Sequence, residues 1–272
     1  GRYNMKKIII LTADELRHDY FKIRFALEKD IDVLKTYCDR TKKKYNFDNT
    51  AEKDIKNIHF TSRYRTEQDF FEEYVLSFQD NSESEYIERG EINNDKYIEN
   101  ICKLNPDLIV TYGCCIIKPK LIKLFRDKII NVHLGLSPYY YGSGTNFHPF
   151  VNGELSAVGC TFMYMDEGID TGKIIHQIRA DIDPCDNIHQ VGNRLIKKMT
   201  HQFIDLVKNF EKIENKTPQI DKAGKMYKAR DCTAANIQKA YKNVKNGICL
   251  EYDRNKVNLD LEFPLVKQGF LC

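Results

Sequence analysis

An α/β fold, an open and mostly parallel sheet flanked by helices with a small C-terminal module, is predicted for this 272-residue chain by three observations. Residues 7–11 (KIIIL) and 129–134 (IINVHL) are short, β-branched and largely apolar, as strands buried on both faces are. Between them, apolar residues recur at steps of three and four, the period of helices laid against a sheet. Beyond them come two strand-like runs joined by a glycine-containing segment, and then a long amphipathic stretch.

After the first strand, Leu16, Tyr20, Ile23 and Leu27 share one helical face. Residues 32–37 suit a second strand. Residues 42–57 are polar and rich in lysine and asparagine, which predicts an exposed loop or irregular helix. Thr66 with Asp69 resembles a capping box, so a helix carrying Phe70, Tyr74 and Phe78 is expected to begin there. Residues 94–104 predict a helix, 107–112 a strand, 118–126 a short helix and 129–134 the next strand. That order is β-α-β-α-β, as in an open parallel sheet. Residues 158–165 and 173–180 predict a strand pair closed around residues 166–172. Pro184 and Asp186 then open a helix whose face carries Ile188, Val191, Leu195, Met199, Phe203, Leu206 and Phe210. The main domain is expected over residues 5–211 and the C-terminal module over 212–272.

Composition narrows the partners. Forty-two basic and thirty-nine acidic side chains leave a formal charge of +3, a weak field that argues against nucleic acid. No window approaches the roughly 20 apolar residues that span a bilayer, and the N-terminus lacks a secretory pattern, so a cytoplasmic protein without membrane contact is expected. Residues 1–4 fit neither strand nor helix, and Met5 is the expected native start. The nine cysteines are scattered without a C-x-x-C pair, which predicts reduced thiols and no metal. Cys160, in an apolar run, reads as filler. His18, His59, His148, His176, His189 and His201 show no metal-ligand spacing.

Chemistry gathers at residues 129–134. Side chains alternate along a strand, so Asn131 and His133 point to one face near its C-terminal end. The loop that follows sits at the carboxyl edge of the sheet, where open α/β folds bind ligands. An amide and an imidazolium can both donate to an oxygen that turns anionic when an amine attacks a carbonyl, a contribution of about 3 kcal/mol per donor. Taken alone, the pair reads more readily as a satisfied polar patch at a strand end. Asp170, likewise, reads alone as turn chemistry, or as part of a calcium loop with too few oxygen ligands.

Four motifs together closely resemble the folate-dependent formyltransferase family: Asn131-x-His133, the loop from Ser137-Pro138 to Gly142, the turn Asn152-Gly153-Glu154, and Met165-Asp-Glu-Gly-Ile-Asp-Thr-Gly172. The likeness follows the order of elements over residues 5–210 and is dense over 129–177. It implies a Rossmann-like sheet and 10-formyltetrahydrofolate as cosubstrate. It also implies that Asn131 and His133 hold the formyl oxygen while Asp170 pairs with His133 and relays the amine proton through water. Asp166, Glu167, Gly168 and Ile169 would then contact the pterin through backbone groups, and residues 113–117, with Cys114 and Ile117, would form the other wall.

Three acceptors occur on similar folds. Glycinamide ribonucleotide has its phosphate cradled by a glycine-rich turn, whereas residues 11–18 (LTADELRH) hold no glycine and two acids. Methionyl-tRNA enzymes carry a larger basic C-terminal domain, whereas residues 220–272 are short and mixed in charge. The chain looks most like the enzymes that formylate nucleotide-linked amino sugars, often as homodimers. Tyr141 stands where arginine is common, and Tyr139, Tyr141 and Asn146 are the expected acceptor contacts. Arg17 or His18, at the start of the first helix, are further candidates for the acceptor's anionic part. A nicotinamide oxidoreductase would need G-x-G-x-x-G after the first strand, which is absent. A catalytically silent folate- or nucleotide-binding module is the remaining rival.

Overall fold

The structure, a computed structural model, describes residues 5–41, 54–168, 171–218 and 222–272. Its centre is a seven-stranded sheet in the order β3-β2-β1-β4-β5-β7-β8. The strands are β1 (Lys6–Ala13), β2 (Ile31–Arg40), β3 (Ser84–Glu88), β4 (Leu108–Thr111), β5 (Ile129–His133), β7 (Gly159–Tyr164) and β8 (Ile174–Arg179). Pairing is parallel from β3 through β5. It is antiparallel for β5 with β7 and for β7 with β8, so the expected hairpin forms and adds to the parallel sheet as a mixed edge.

Alternation along the central strands assigns the two faces. Ile8, Ile10, Val110 and Ile130 point into the larger core, against α1 (Leu16–Ala26), α2 (Ile55–Ser77) and α6 (Ile188–Lys208). Ile9, Leu11, Ile109 and Ile129 point into a second cluster with Ile98 and Ile101 of α3 (Asp95–Leu104) and Leu121 of α4 (Pro119–Leu124). Burial on both faces explains why these strands read as unbroken apolar runs.

Two expectations are corrected. α2 starts at Ile55, where Asp54 accepts from the Lys56 amide at 3.0 Å, so Thr66 lies inside the helix and not at its start. Its hydroxyl instead donates to Ser62 O four residues back, at 2.7 Å, an alternative bond open to any mid-helix threonine. The strand β3 (SEYIE) was not expected: it lies at the sheet edge, and only Ile87 of its five side chains is buried, so no apolar run marks it.

The C-terminal residues return to the sheet. Tyr140–Gly142 (β6) pairs with Lys225–Tyr227 (β9), and α7 (Ala234–Lys245) packs on α5 (His148–Asn152) and α2. Ala240, with Cys249 and Tyr252 of α8 (Ile248–Asp260), belongs to the main core. Beyond α8, Val266 O accepts from the Gln177 amide of β8 at 2.7 Å. No helix among the described residues is long and apolar enough to cross a membrane.

Candidate active site

Asn131 and His133 alternate with buried Ile130 and Val132, so β5 sends both polar side chains to one face, each half-buried. The parallel pairing of β4 with β5 sets Thr111 directly beside Asn131. The Thr111 hydroxyl, fully buried, donates to Asn131 Oδ1 at 2.6 Å. Asn131 also faces Met163 across the antiparallel step to β7.

Asn131 lines a cleft of about 190 Å³. One wall is the loop after β4, with Cys114, Cys115, Ile116 and Ile117; the other is the turn after β7, with Asp166, Glu167 and Gly168. Five of the six residues expected at the pterin therefore share a cavity with Asn131. The sixth, Ile169, and the expected proton relay, Asp170, lie outside the described residues. The turn's flanks are tied together, since Asp166 Oδ1 accepts from the Gly168 amide at 2.9 Å and from the Thr171 hydroxyl at 2.8 Å. Because β7 runs against β5, this turn leaves beside Ile129, whose carbonyl accepts from the Met165 amide at 2.9 Å.

The wall after β4 has its own supports. Asp39, buried at the end of β2, accepts from the Cys115 amide at 2.7 Å. Burial raises its pKa, while that amide and Arg89, 4.0 Å away, favour the carboxylate. Asn93 accepts from the Lys118 amide at 2.8 Å and donates to Ile116 O at 3.0 Å. Burial pushes the Cys114 thiol well up, which leaves it a protonated, weakly reactive lining group. Arg89 and Met163 line the same cleft and were not singled out from the sequence. Neither carries a signal in the sequence, since Met163 reads as one more apolar strand residue and Arg89 as an exposed charge after an edge strand.

His133 sits where β5 meets Thr161 of β7. The loop after it is held by a buried polar network. Thr161 Oγ1 donates to Gly135 O at 2.7 Å and accepts from the Ser137 amide at 3.0 Å, while Gln177 Nε2 donates to Ser137 O at 2.6 Å. The Ser137–Pro138 peptide is cis.

Two of the three expected acceptor contacts, Tyr139 and Asn146, have their polar groups engaged within the chain. The Tyr139 hydroxyl donates to Pro264 O at 2.6 Å, and its ring meets Phe263 edge-on. Asn146 exchanges two 3.0 Å bonds with the Gly159 backbone, joining the loop to the start of β7. Tyr141 is half-buried in β6, its ring over Gly224. Neither Tyr139 nor Asn146 presents its polar group to the cleft.

The first turn likewise closes on itself. Glu15 and His18 form a capping box on α1, and Asp14 accepts from the Thr41 amide and hydroxyl at 3.1 and 2.6 Å. Arg17 donates to Glu67 of α2 at 2.7 Å. His18 is buried, with its pKa well below the usual imidazole value chiefly through burial and then through Arg17. Gly113, at φ +72°, passes so close to the His18 ring that a Cβ there would lie 2.5 Å from Nε2.

A larger groove, about 1030 Å³, runs along β8. It holds no part of the Asn131 constellation, and three of its five cations, Arg179, Lys198 and Arg194, face Asp260, Asp181 and Asp186. Chemistry, not size, therefore selects the smaller cleft. Among the described residues no group of three or more His, Cys, Asp or Glu side chains is placed to hold a metal ion.

The sequence profile of the formyl transferase family matches residues 35–207. A methionyl-tRNA formyltransferase of Syntrophus aciditrophicus is 38% identical over 105 residues, 38% of this chain and 33% of that protein. One of Desulforamulus reducens is 31% identical over 134 residues, 48% of this chain and 41% of that protein. The chain thus spans about a third to two fifths of the length of these curated relatives. Among solved structures, the phosphoribosylglycinamide formyltransferase of Anaplasma phagocytophilum superposes with a TM-score of 0.56 at 14% identity, covering 82% of this chain and 98% of that one. A 4-N formyltransferase from Francisella tularensis gives 0.55 at 22% identity, covering 89% and 88%. A sugar N-formyltransferase from Shewanella gives 0.55 at 16%, covering 88% of each chain. At such identities the likeness to the solved structures is one of fold.

Proposed function

Because the chain belongs to the formyl transferase family, we propose that it moves the formyl group of 10-formyltetrahydrofolate onto the amine of a nucleotide-linked amino sugar. The observation that carries the reading is the Asn131 amide, held by Thr111 on its oxygen side, in a cleft walled by residues 114–117 and 166–168. Apolar Ile117 and Met163 together with the backbone of the turn after β7 suit a flat heterocycle that is read by its edges.

In this reading the amine attacks the formyl carbon and the formyl oxygen gains charge. Asn131 Nδ2 and the His133 imidazole donate to that oxygen, a pair of fixed donors that lowers the barrier because they need no reorganisation. Asp170 keeps the imidazole charged and takes the amine proton through water. The relayed proton passes to N10 as the C–N10 bond breaks, which releases tetrahydrofolate and leaves the amide.

Support for a sugar-linked amine comes from the turn after the first strand. The turn after β1 is closed by its own caps and offers no glycine-lined phosphate cradle. Methionyl-tRNA is the second reading, favoured by the sequence identity to those enzymes. The proposal takes the protein to be a cytoplasmic homodimer.

The test is to incubate the protein with 10-formyltetrahydrofolate and, separately, nucleoside-diphosphate-linked 4-amino sugars, glycinamide ribonucleotide and methionyl-tRNA, following each by mass spectrometry. A formyl adduct on an amino sugar is expected. An adduct only on one of the others would replace the acceptor, and none on any, with tetrahydrofolate still bound, would leave a silent binding module.

A further inference from the structure

Thr111 ends β4, after three apolar residues, and has no exposed surface. A hydroxyl in such a place costs free energy unless bonded, and valine would fill the same volume without that cost. Its proton goes to Asn131 Oδ1 at 2.6 Å. A side-chain amide has an acceptor end and a donor end, nearly equal in size, so packing alone barely distinguishes its two orientations. With the oxygen engaged by a donor from the neighbouring strand, both Nδ2 protons are left for the cleft. The opposite orientation would set a carbonyl dipole, negative end first, against an oxygen gaining negative charge.

We infer that Thr111 is a positioning residue for formyl transfer: through Asn131 Oδ1 it holds the Asn131 amide with its N–H groups toward the reacting carbonyl oxygen. This rests on the formyl-transfer reading and adds to it a residue outside the motifs that carried that reading. Strand register makes it possible, since Thr111 and Asn131 are direct neighbours in the parallel β4–β5 pair and share a face. Thr111 acts on the transition state, not on substrate binding, because the amide meets a fully developed charge only there.

The experiment measures turnover of Thr111→Val, Thr111→Ser and Asn131→Ala, and of the double variant Thr111→Val/Asn131→Ala, on whichever acceptor of the panel above the wild type formylates. Tetrahydrofolate affinity is measured alongside. Thr111→Val is expected to lower kcat about tenfold with KM and folate affinity changed less than about twofold, and Thr111→Ser to restore most of the loss. In the Asn131→Ala background Thr111→Val should cause no further loss, as required of a residue acting only through its neighbour. Equal kcat for Thr111→Val and wild type, or a full additional loss in the double variant, would overturn the inference while leaving formyl transfer intact. Should Thr111→Val not fold, Thr111→Ala removes the same hydroxyl with less crowding and is read by the same criteria. A wild-type chain without turnover on any acceptor would remove the formyl-transfer reading and this inference with it.

Discussion

Gly135 lies so close to the His133 ring that a Cβ on it would stand 2.8 Å from Nε2 and 2.5 Å from Thr145 Oγ1. The imidazole and the loop after β5 thus occupy the space that any other residue at 135 would need. Gly135→Ala should displace His133 or Thr145, whose hydroxyl is bonded to Leu134 O. Such overpacking costs about 1–3 kcal/mol. The expected result is a lower Tm together with a fall in kcat. A variant with a lower Tm and undiminished kcat would show that Thr145, not the His133 ring, takes up the crowding.

For the two strand residues, His133→Asn and Asn131→Ala should each lower kcat by about a hundredfold, with KM for folate changed little, since the donors they remove act on developing charge. Asp170→Asn should behave like His133→Asn. Steady-state kinetics decides: losses confined to KM would make these residues binding groups.

Gln177 reaches three partners from one buried side chain. Its Nε2 donates to Ser137 O at 2.6 Å and to Thr161 Oγ1 at 3.0 Å, and its Oε1 accepts from the Val266 amide at 3.1 Å. Gln177→Ala strands these groups and leaves a cavity, a loss of about 3 kcal/mol. Urea unfolding should show a lower midpoint at unchanged slope, and an unchanged midpoint would mean that water replaces the amide at no cost.

A pH dependence follows from His59 and His189, whose Nδ1 and Nε2 lie 2.9 and 3.0 Å from the Tyr241 hydroxyl. Burial, with Arg63 nearby, holds their pKa at about 4 and about 3, and burial holds His176 at about 4. The unfolded chain takes up these protons below about pH 6.5, so it binds more protons than the folded one and stability falls as pH drops from there toward about 4. Asp19 opposes this. Burial raises its carboxyl to about 6, so it protonates first in the folded state and adds stability as pH falls through that value. Asp39, also raised by burial, acts in the same sense as Asp19, and His18, also lowered by burial, acts with the three imidazoles; the imidazoles outweigh the two carboxyls, and Tm should be lower at pH 5 than at pH 7. A Tm equal or higher at pH 5 would contradict the burial of neutral imidazoles at His59, His189 and His176.

Local pattern alone was enough for much of this protein. Strands buried on both faces show as apolar runs, amphipathic helices as steps of three and four, and the alternation of side chains in β5 puts Asn131 and His133 on one face wherever that strand ends up. The motifs around them carried the family.

Other features arise only when distant segments meet. β3 is a strand because β2 offers it an open edge, and its own residues are mostly solvent-facing. Thr66 gives its hydroxyl to the helix behind it because α2 starts earlier, on Asp54. Tyr139 and Asn146 turned inward because Pro264 and Gly159 were there to receive them. The partnership of Thr111 with Asn131 depends on which strand lies beside β5 and in what register, twenty residues apart in the chain. Periodicity records which way a side chain faces, since that follows from the chain's own geometry; what it faces is decided by packing, because a hydrogen bond needs a partner that only the folded sheet brings within reach.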